Sequence, residues 1–218
     1  MPNRSVEDYI KNIYKLHRDG ERVTTSALAG HLGLSDASIT DMVKKLSEKG
    51  YVRYERYRGV ELTPAGRRVA MKIVRRHRLW EMFLVQFLGF SWDQIHEEAE
   101  VLEHVTSDEL ERALDKVLGF PVVDPHGDPI PTAGGHLLKC DDAALAECMP
   151  GDKVRINRVS DHDPQVLQYA TKIGLGLNTR LVVKDRVNFD GSMIVKVGTK
   201  ERFLSQQLAR SIFVQDMP

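Results

Sequence analysis

The sequence predicts a mainly α-helical protein with a small β barrel near its end, and three observations support this expectation. Apolar residues recur at helical spacing over most of the first half of the chain. The segment YVRYERYRGVELT, directly after Gly50, alternates apolar with charged residues and predicts two short strands. From about Gly151 the chain is rich in valine and isoleucine that alternate with charged residues, which predicts a barrel of short strands.

The first part of the chain predicts a winged helix-turn-helix. A first helix has its apolar face at Val6, Ile10 and Ile13. A second, short helix ends at Gly33, a residue that tolerates the left-handed conformation of a tight turn. Ser35 then provides the side-chain oxygen that caps a third helix. The two strands after the third helix form the wing.

The charges of the chain are unevenly distributed, although 31 basic and 31 acidic residues give a formal net charge of zero. Residues 1–78 carry +8, residues 79–152 carry −13 and residues 153–218 carry +5. A basic first block suits a polyanionic partner, and an acidic middle block suits cations. The sequence therefore predicts two binding functions.

The third helix and the wing predict a DNA-binding surface. Small polar residues at the start of a helix can approach base edges, an alanine can contact a thymine methyl group, and basic residues can contact phosphate oxygens. The alternative is that these residues only cap and solvate a surface helix. The candidate DNA-binding residues are Ser35, Ala37, Ser38, Thr40, Asp41, Lys44, Lys45, Arg56 and Arg58.

Two adjacent helical stretches contain side chains that can coordinate a metal ion. Residues spaced by three or four positions lie on one face of a helix, so imidazoles and carboxylates at this spacing can bind one divalent cation. The alternative is a solvated acidic helix. The residues with this spacing are His77 and Glu81 on one stretch, and His96, Glu100, Glu103 and His104 on the next.

The helical middle also contains more large apolar residues than one small helical layer buries, including Trp80, Phe83, Phe87 and Leu88. Part of this surface is expected to be buried against a second subunit. No apolar run approaches the roughly 20 residues needed to cross a bilayer, and the first residues lack the apolar stretch of a signal peptide. We therefore expect a cytoplasmic protein with no membrane partner.

Three motifs resemble one known family. The segment HRLWE at residues 77–81, the segment HEEAEVLEHVTSDELE from His96 and the loop DPHGDPIP from Asp124 follow the winged helix in the order found in the diphtheria toxin repressor and manganese transport regulator family. The resemblance covers nearly the whole chain. It implies a metal-activated, homodimeric transcriptional repressor that binds double-stranded operator DNA. It also implies three domains: a winged helix at 1–73, a helical dimerisation and metal-binding domain at 74–140, and an SH3-like domain related to ferrous-transport accessory proteins at 150–218.

The resemblance also implies two metal sites. The site that links the DNA-binding and dimerisation domains would use Asp8, Glu100, Glu103 and His104. The second site would use His77, Glu81 and His96, together with Asp124, His126 and Asp161. Relatives of similar length have a Cys-Pro-His element where this chain reads Asp124-Pro125-His126, which puts the participation of the loop in question.

The donor set favours manganese. Iron-type members of the family place methionine and cysteine where this chain has Asp8 and Glu100, and hard oxygen donors suit Mn²⁺. Fe²⁺ stays a second possibility, and Zn²⁺, Co²⁺ or Cd²⁺ can substitute in vitro because such donors bind them too. Lys11 stands where compact manganese regulators have a glutamate that completes a binuclear site. We therefore expect two separated sites.

Two other function classes fit parts of the pattern. A metallohydrolase also uses histidine and glutamate around a divalent ion, but no separate nucleophile or general-base motif is found, and we expect no enzymatic activity or catalytic residues. A winged-helix regulator that senses an organic ligand would use the histidine and glutamate stripe only as surface charge. Such a regulator would not respond to Mn²⁺.

Overall fold

The computed structural model describes residues 3–17, 22–138, 140–161 and 163–217. These residues divide into two compact units. The first unit comprises Met1–His77, Leu102–Ser107 and Pro131–Leu137. The second comprises Arg78–Val101, Asp108–Ile130 and Leu138–Pro218.

The first unit contains the predicted winged helix-turn-helix. Its elements are α1 (Arg4–Leu16), α2 (Thr25–Leu32), α3 (Asp36–Glu48), β1 (Val52–Glu55) and β2 (Gly59–Leu62). The two strands pair antiparallel with Val52 opposite Leu62. Val6, Ile10 and Ile13 of α1 are buried in one core with residues of α2, α3 and the wing, as their spacing predicts.

Capping side chains set the limits of the short helices, as expected. The hydroxyl of Thr24 accepts a hydrogen bond from the backbone N–H of Ala27 at 3.1 Å and begins α2. Gly33 closes α2 with φ of 65°, in the left-handed region that favours glycine. Ser35 accepts from the N–H of Ser38 at 3.2 Å and begins α3.

Three further helices follow the wing: α4 (Pro64–Leu88), α5 (Ile95–Val105) and α6 (Asp108–Val117). The hydroxyl of Thr63 accepts from the N–H of Gly66 at 3.1 Å, and proline takes the first helical position of α4. The sequence predicts that α5 begins near Ser91. It begins at Ile95 instead, because residues 91–94 form a turn in which the N–H of Gln94 donates to the carbonyl of Ser91 at 2.9 Å.

The C-terminal part of the second unit is a six-stranded antiparallel sheet. Its strands have the spatial order β3-β8-β4-β5-β6-β7. The elements in chain order are β3 (Ala143–Ala144), a short 3-10 turn (Leu145–Glu147), β4 (Lys153–Val159), α7 (Pro164–Lys172), β5 (Arg180–Arg186), β6 (Met193–Val197), β7 (Lys200–Leu204), α8 (Gln206–Ser211) and β8 (Ile212–Asp216).

The predicted barrel is not confirmed, because the sheet stays open over the residues that the structure describes. β3 and β7 are its two edges, and β3 is only two residues long. Register shifts between Ile156 and Arg158 and between Val183 and Asp185 are irregularities of the kind that bend a sheet. α8 and β8 were not predicted from the sequence either, although β8 lies between β3 and β4 in the interior of this sheet.

Each unit has its own apolar core. In the second unit, residues of β4, β5, β6 and β8 pack with α7 and α8 into one cluster, and Leu84, Ile95 and Ala99 form a smaller one. Among the described residues, no helix has both the length and the apolar character that a membrane-spanning segment requires.

We predict that Gly66→Ala destabilises the first unit. A Cβ at this position would lie 2.0 Å from the backbone oxygen of Tyr51, so the start of α4 has to move away from the wing. Overpacking of this kind costs about 1–3 kcal/mol. Denaturant unfolding followed by circular dichroism measures the loss.

Gly30→Ala is the matched control for this substitution. Gly30 lies inside α2, and no atom lies within 4 Å of the position that an alanine Cβ would take, so alanine adds helix propensity without a clash. This variant is expected to be as stable as the wild type or more stable, by up to about 1 kcal/mol. Equal stability of the two variants would contradict the close approach of α4 to Tyr51.

Candidate metal centres and DNA-reading helix

The first candidate metal centre lies in the first unit. Asp8 of α1 and Glu103 and His104 at the end of α5 each offer one ligand atom, and these atoms lie within 4.8 Å of one another. Nε2 of His104 is 2.8 Å from Oδ1 of Asp8 and 3.4 Å from Oε1 of Glu103. Carboxylate oxygens and imidazole nitrogens are donors that divalent Mn and Fe accept. Within the first unit, the structure thus brings the predicted ligands Asp8, Glu103 and His104 together.

Glu7 orients the imidazole of His104. Nδ1 of His104 donates to Oε2 of Glu7 at 2.8 Å, so the hydrogen of the neutral ring is on Nδ1 and the lone pair on Nε2. Among the described residues, Nε2 has no hydrogen-bond partner, because Oδ1 of Asp8 is close but lies outside hydrogen-bond geometry. A buried lone pair beside two carboxylates is an arrangement that a cation would satisfy.

Glu100, the fourth predicted ligand, lies on the same helix one turn before His104. It belongs to the part of α5 in the second unit. There its Oε1 is 3.5 Å from Nε2 of His96. The spacing of four residues places Glu100 and His104 on one face of α5.

Lys11 and His77 both contact the carboxylate of Glu103 within the first unit. Nζ of Lys11 donates to Oε2 at 2.7 Å and to Oε1 at 2.9 Å. Nδ1 of His77 lies 2.5 Å from Oε2 and 3.2 Å from Nζ of Lys11. All three side chains are buried, with Glu103 fully inaccessible to solvent. The lysine therefore compensates the buried negative charge of Glu103 from inside the protein.

The second candidate metal centre lies in the second unit around Glu81. Glu81, His96 and Asp161 form one group of close ligand atoms, and Glu81, Asp124 and His126 form another. Oε1 of Glu81 is 3.6 Å from Nδ1 of His96, and Oε2 is 4.0 Å from Nδ1 of His126. Within the second unit, the structure thus groups Glu81 with four other predicted residues of this site, His96, Asp124, His126 and Asp161.

The ring of His126 is held so that one nitrogen faces this centre. Nε2 donates to the backbone oxygen of Trp92 at 2.8 Å, and the ring stacks on the indole of Trp92 with 5.7 Å between centroids. Nδ1 of the neutral ring then has a lone pair. Among the described residues this buried nitrogen has no hydrogen-bond partner, which fits a position beside a metal ion.

Asp124 offers one of its two oxygens to the centre. Its Oδ1 accepts from the backbone N–H groups of His126 at 2.8 Å and Asp128 at 2.9 Å, and its Oδ2 lies 3.3 Å from Nε of Arg78. Burial raises the pKa of Asp124 well above its usual range, and the negative charges of Glu81 and Asp128 raise it further. The pKa of Asp128 is also raised, first by burial. This buried excess of carboxylates is the electrostatic environment of a cation site.

His77 is the remaining residue predicted for the second site. It precedes Glu81 by one turn on α4 but belongs to the first unit, where its Nδ1 faces Glu103. Asp163, which is near Asp161 in sequence, caps α7 by accepting from the N–H of Gln165 at 2.9 Å.

The candidate DNA-binding residues lie on α3 and at the tip of the wing. Ser35, Ala37, Ser38, Asp41, Lys44 and Lys45 are exposed, Thr40 is half-buried, and Arg56 and Arg58 of the wing are exposed. The apolar residues Ile39, Val43 and Leu46 occupy the opposite face of α3 and are fully buried. The hydroxyls of Ser35 and Ser38 contact each other at 2.9 Å, so they also stabilise the start of the helix.

Glu7 and Arg78 were not predicted from the sequence, and Lys11 stood out there only as a departure from a family pattern. Glu7 and Lys11 are one turn apart on α1, next to the apolar positions of that helix. Charged residues at the edge of a buried stripe are a signal that could have indicated an internal ion pair. Arg78 gives no comparable signal, because its partners Asp124 and Asp128 are distant in sequence.

Three sequence families match consecutive parts of the chain. They are described as the iron dependent repressor N-terminal DNA binding domain at residues 1–60, the iron dependent repressor metal binding and dimerisation domain at residues 63–132, and the FeoA domain at residues 143–216. The iron-dependent repressor IdeR of Mycobacterium tuberculosis is 30% identical over 97% of this chain and 96% of its own length. The diphtheria toxin repressor of Corynebacterium diphtheriae is 30% identical over 98% and 97%.

The chain belongs to the iron-dependent repressor family. Solved structures of similar proteins agree with this assignment. A manganese-dependent transcriptional repressor in complex with manganese has a TM-score of 0.90 and 41% identity, and the match covers 97% of this chain and 100% of that one. The repressor ScaR with bound Zn²⁺ has a TM-score of 0.83 and 33% identity over 99% and 100%.

Membership of this family confirms the expected class of function. The protein is a DNA-binding, metal-dependent transcriptional repressor and not an enzyme. Relatives named for iron and for manganese both occur, so the family alone leaves the metal open.

We predict that Asp124→Asn stabilises the metal-free protein at neutral pH. The pKa of Asp124 is raised in the folded state above its unfolded value of about 3.9. The ionised carboxylate therefore destabilises the fold, and the loss of stability grows as the pH rises from the unfolded pKa through the folded pKa. A difference of one pH unit between the folded and unfolded pKa corresponds to about 1.4 kcal/mol. Asparagine is neutral throughout and keeps the Oδ1 acceptor of the turn. Thermal unfolding in chelator from pH 4 to pH 8 should show a gain that grows with pH.

Asp190→Asn is the control of opposite sign. Asp190 also accepts at a turn, from the N–H and hydroxyl of Ser192, but these hydrogen bonds lower its pKa. The ionised carboxylate of Asp190 stabilises the fold above its unfolded pKa, and this stabilisation is lost as the pH falls through the folded pKa. Asp190→Asn removes the stabilisation, so this variant should be less stable than the wild type at neutral pH. A gain for Asp124→Asn that does not depend on pH would contradict the electrostatic account.

Proposed function

We propose that the protein is a Mn²⁺-dependent repressor of metal-uptake genes that binds operator DNA as a homodimer. The observation that supports this most directly is the position of His104 at the end of α5. Its Nδ1 is held by Glu7 of α1, and its Nε2 faces Asp8 of the same helix. Because α1 packs in the core of the winged helix, this site joins the DNA-reading domain to α5.

Metal dependence of DNA binding follows from this arrangement. When bound, the ion supplies a bond between Asp8 of α1 and the ligands Glu100, Glu103 and His104 of α5. Without positive charge at this position, the carboxylates of Glu7, Asp8 and Glu103 repel one another, and Lys11 offsets only part of their charge. A conformation that both metal and DNA favour couples their affinities, so that DNA strengthens metal binding by the same factor.

Donor chemistry and one relative favour manganese over iron. Both candidate centres consist of carboxylates and imidazoles, and Asp124 stands where a thiolate would introduce a soft donor. The manganese-dependent repressor cited above is 41% identical, against 30% for the iron-dependent repressor IdeR. An Fe²⁺-dependent repressor is the second candidate, because the same donors bind Fe²⁺. Zn²⁺, Co²⁺ and Cd²⁺ are expected to substitute in vitro.

We propose two separate sites in each subunit. The first uses Asp8, Glu100, Glu103 and His104. The second uses Glu81, His96, Asp124, His126 and Asp161, with His77 as a further candidate on α4. The ammonium group of Lys11, which lies between the carboxylate of Glu103 and the ring of His77, supports one ion at the first site in place of a pair.

An exposed apolar surface of the second unit supports the homodimer. Phe87 and Leu88 at the end of α4 and Leu110 and Val117 of α6 are each more than 40% exposed. Leu84 of α4, Ile95 of α5 and Leu114 of α6 are buried, so only part of the predicted apolar excess is used within the subunit. We propose that the exposed part is covered by the partner subunit.

The domain limits that we propose are 1–73, 74–140 and 150–218, and the family matches at 1–60, 63–132 and 143–216 support this division. The last domain is proposed to be SH3-like. Because a repressor has to reach DNA, we place the protein in the cytoplasm.

Fluorescence anisotropy with the DNA upstream of the protein's own coding region tests the proposal. Titrations with Mn²⁺, Fe²⁺, Zn²⁺ and chelator are compared under one salt concentration. Binding with Mn²⁺ and none in chelator would support the proposal. Binding that ignores every metal would favour a regulator that senses an organic ligand, and a response to Fe²⁺ alone would favour the iron-dependent alternative.

We predict that His104→Ala abolishes metal-dependent DNA binding and leaves the dimer intact. The variant removes the nitrogen that faces Asp8 and Glu103, whereas the exposed apolar surface is unchanged. Anisotropy measures DNA binding, and light scattering coupled to gel filtration measures the mass. His136→Ala, which removes an exposed imidazole, is the control and should bind like the wild type. Normal metal activation of His104→Ala would count against this site.

We predict that Lys44→Ala weakens binding to all DNA sequences alike. Lys44 is exposed on α3 and is assigned to a phosphate, so its loss should lower the slope of log affinity against log salt by about 1. Anisotropy at several salt concentrations gives this slope. Lys200→Ala, on an edge strand of the C-terminal sheet, should leave it unchanged. A change in sequence preference with an unchanged slope would assign Lys44 to a base.

A further inference from the structure

Lys11 is a buried cation with a defined place beside a candidate metal ligand. Its side chain is only 2% exposed, and it lies on α1 one turn after Glu7. A buried lysine is costly unless its charge is matched, and here the matching charge is the carboxylate of Glu103. The arrangement of the hydrogen bonds around this carboxylate indicates what the lysine does there.

The two oxygens of Glu103 are unequally used. Oε2 has two N–H neighbours, Nδ1 of His77 at 2.5 Å and Nζ of Lys11 at 2.7 Å. Oε1 has Nζ of Lys11 at 2.9 Å and lies on the side of His104, 3.4 Å from its Nε2. Since a carboxylate oxygen accepts about two hydrogen bonds, Oε2 is saturated and Oε1 keeps one position.

We propose that Lys11 is a specificity-determining residue, which together with His77 restricts Glu103 to one oxygen as a metal ligand. This inference rests on the proposed metal site of Asp8, Glu103 and His104. Large cations such as Ca²⁺ take six to eight oxygen ligands and commonly use both oxygens of a glutamate. Limiting Glu103 to Oε1 therefore favours smaller divalent cations such as Mn²⁺ over Ca²⁺.

The lysine also acts through its charge, and this effect is separable from the first. A positive charge near the site lowers the affinity for every divalent cation by a similar factor. The number of oxygens that Glu103 can offer affects large and small cations differently. The ratio of the affinities for Ca²⁺ and Mn²⁺ therefore reports the coordination effect, whereas the absolute affinities report both.

Lys11→Met tests the proposal, because methionine keeps much of the length of the side chain and removes its N–H donors and charge. Isothermal titration of the full chain with Ca²⁺ and with Mn²⁺ gives the two affinities. We expect the affinity for Ca²⁺ relative to Mn²⁺ to rise about tenfold, since an additional oxygen becomes available to the larger ion. Lys15→Met removes the same charge from the last turn of α1 and should leave the ratio unchanged.

The outcomes separate this inference from the proposed function. An unchanged ratio in a folded Lys11→Met variant, with both affinities higher by one factor, would overturn the specificity role and leave the metal site standing. Failure of the wild type to bind Mn²⁺ would overturn both. If Lys11→Met does not fold, a crystal structure of the wild type with Mn²⁺ decides. Oε1 alone on the ion would support the proposal, and both oxygens on the ion would overturn it.

Discussion

A carboxylate that is fully removed from water requires positive charge and hydrogen bonds from the protein around it, and the first unit is organised around such a group, Glu103. It receives an ammonium from α1 and an imidazole from α4, and it lies beside His104 on α5. Three helices that are distant in sequence thus converge on one charge. Because leaving that charge unmatched is costly, the metal site and the packing of the winged helix depend on the same residue.

Buried negative charge is compensated differently in the two candidate centres. In the first, Lys11 is an internal cation, and the ring of His104 is positioned by a carboxylate, Glu7. In the second, Arg78 lies at the edge and pairs with Asp124 and Asp128, yet burial and neighbouring charge still raise the pKa of Asp124. At the second centre, Arg78 therefore compensates only part of the buried negative charge.

Much of the helical architecture could be predicted from the sequence, because its signals are local. Thr24, Ser35 and Asp163 each cap a helix through a side chain next to the backbone group that it satisfies. The open sheet could not be predicted in the same way. β8 is a central strand that pairs with β4, a pairing set by contacts between residues far apart in sequence. A run of alternating residues predicts a strand but not its neighbours.

The candidate site shows the same difference between local signals, which can be predicted from the sequence, and contacts between distant residues, which cannot. Helical spacing alone placed Glu100 and His104 on one face of α5, and the resemblance to a family supplied Asp8 and the loop around Asp124. Neither could supply the hydrogen-bond direction at each ring, which decides whether an imidazole offers a lone pair. His104 and His126 each donate from one nitrogen to a protein oxygen and keep the other for the centre, whereas Nδ1 of His77 faces Glu103.

These directions also bear on how a metal sensor can discriminate among ions with similar donors. Carboxylates and imidazoles bind most divalent first-row metals, and intrinsic affinity favours the later ones, so selectivity has to come from geometry. Geometry is set by the groups that hold the ligands: Glu7 for His104, the carbonyl of Trp92 for His126, and two backbone N–H groups for Asp124. His104 and His126 each keep one nitrogen for the centre while the protein engages the other, and the carboxylate of Asp124 is fixed by these N–H groups and by Arg78. A ligand set held in this way has little freedom to rearrange around an ion of a different size, and the rigidity of these supporting contacts then contributes to selectivity as much as the identity of the donors.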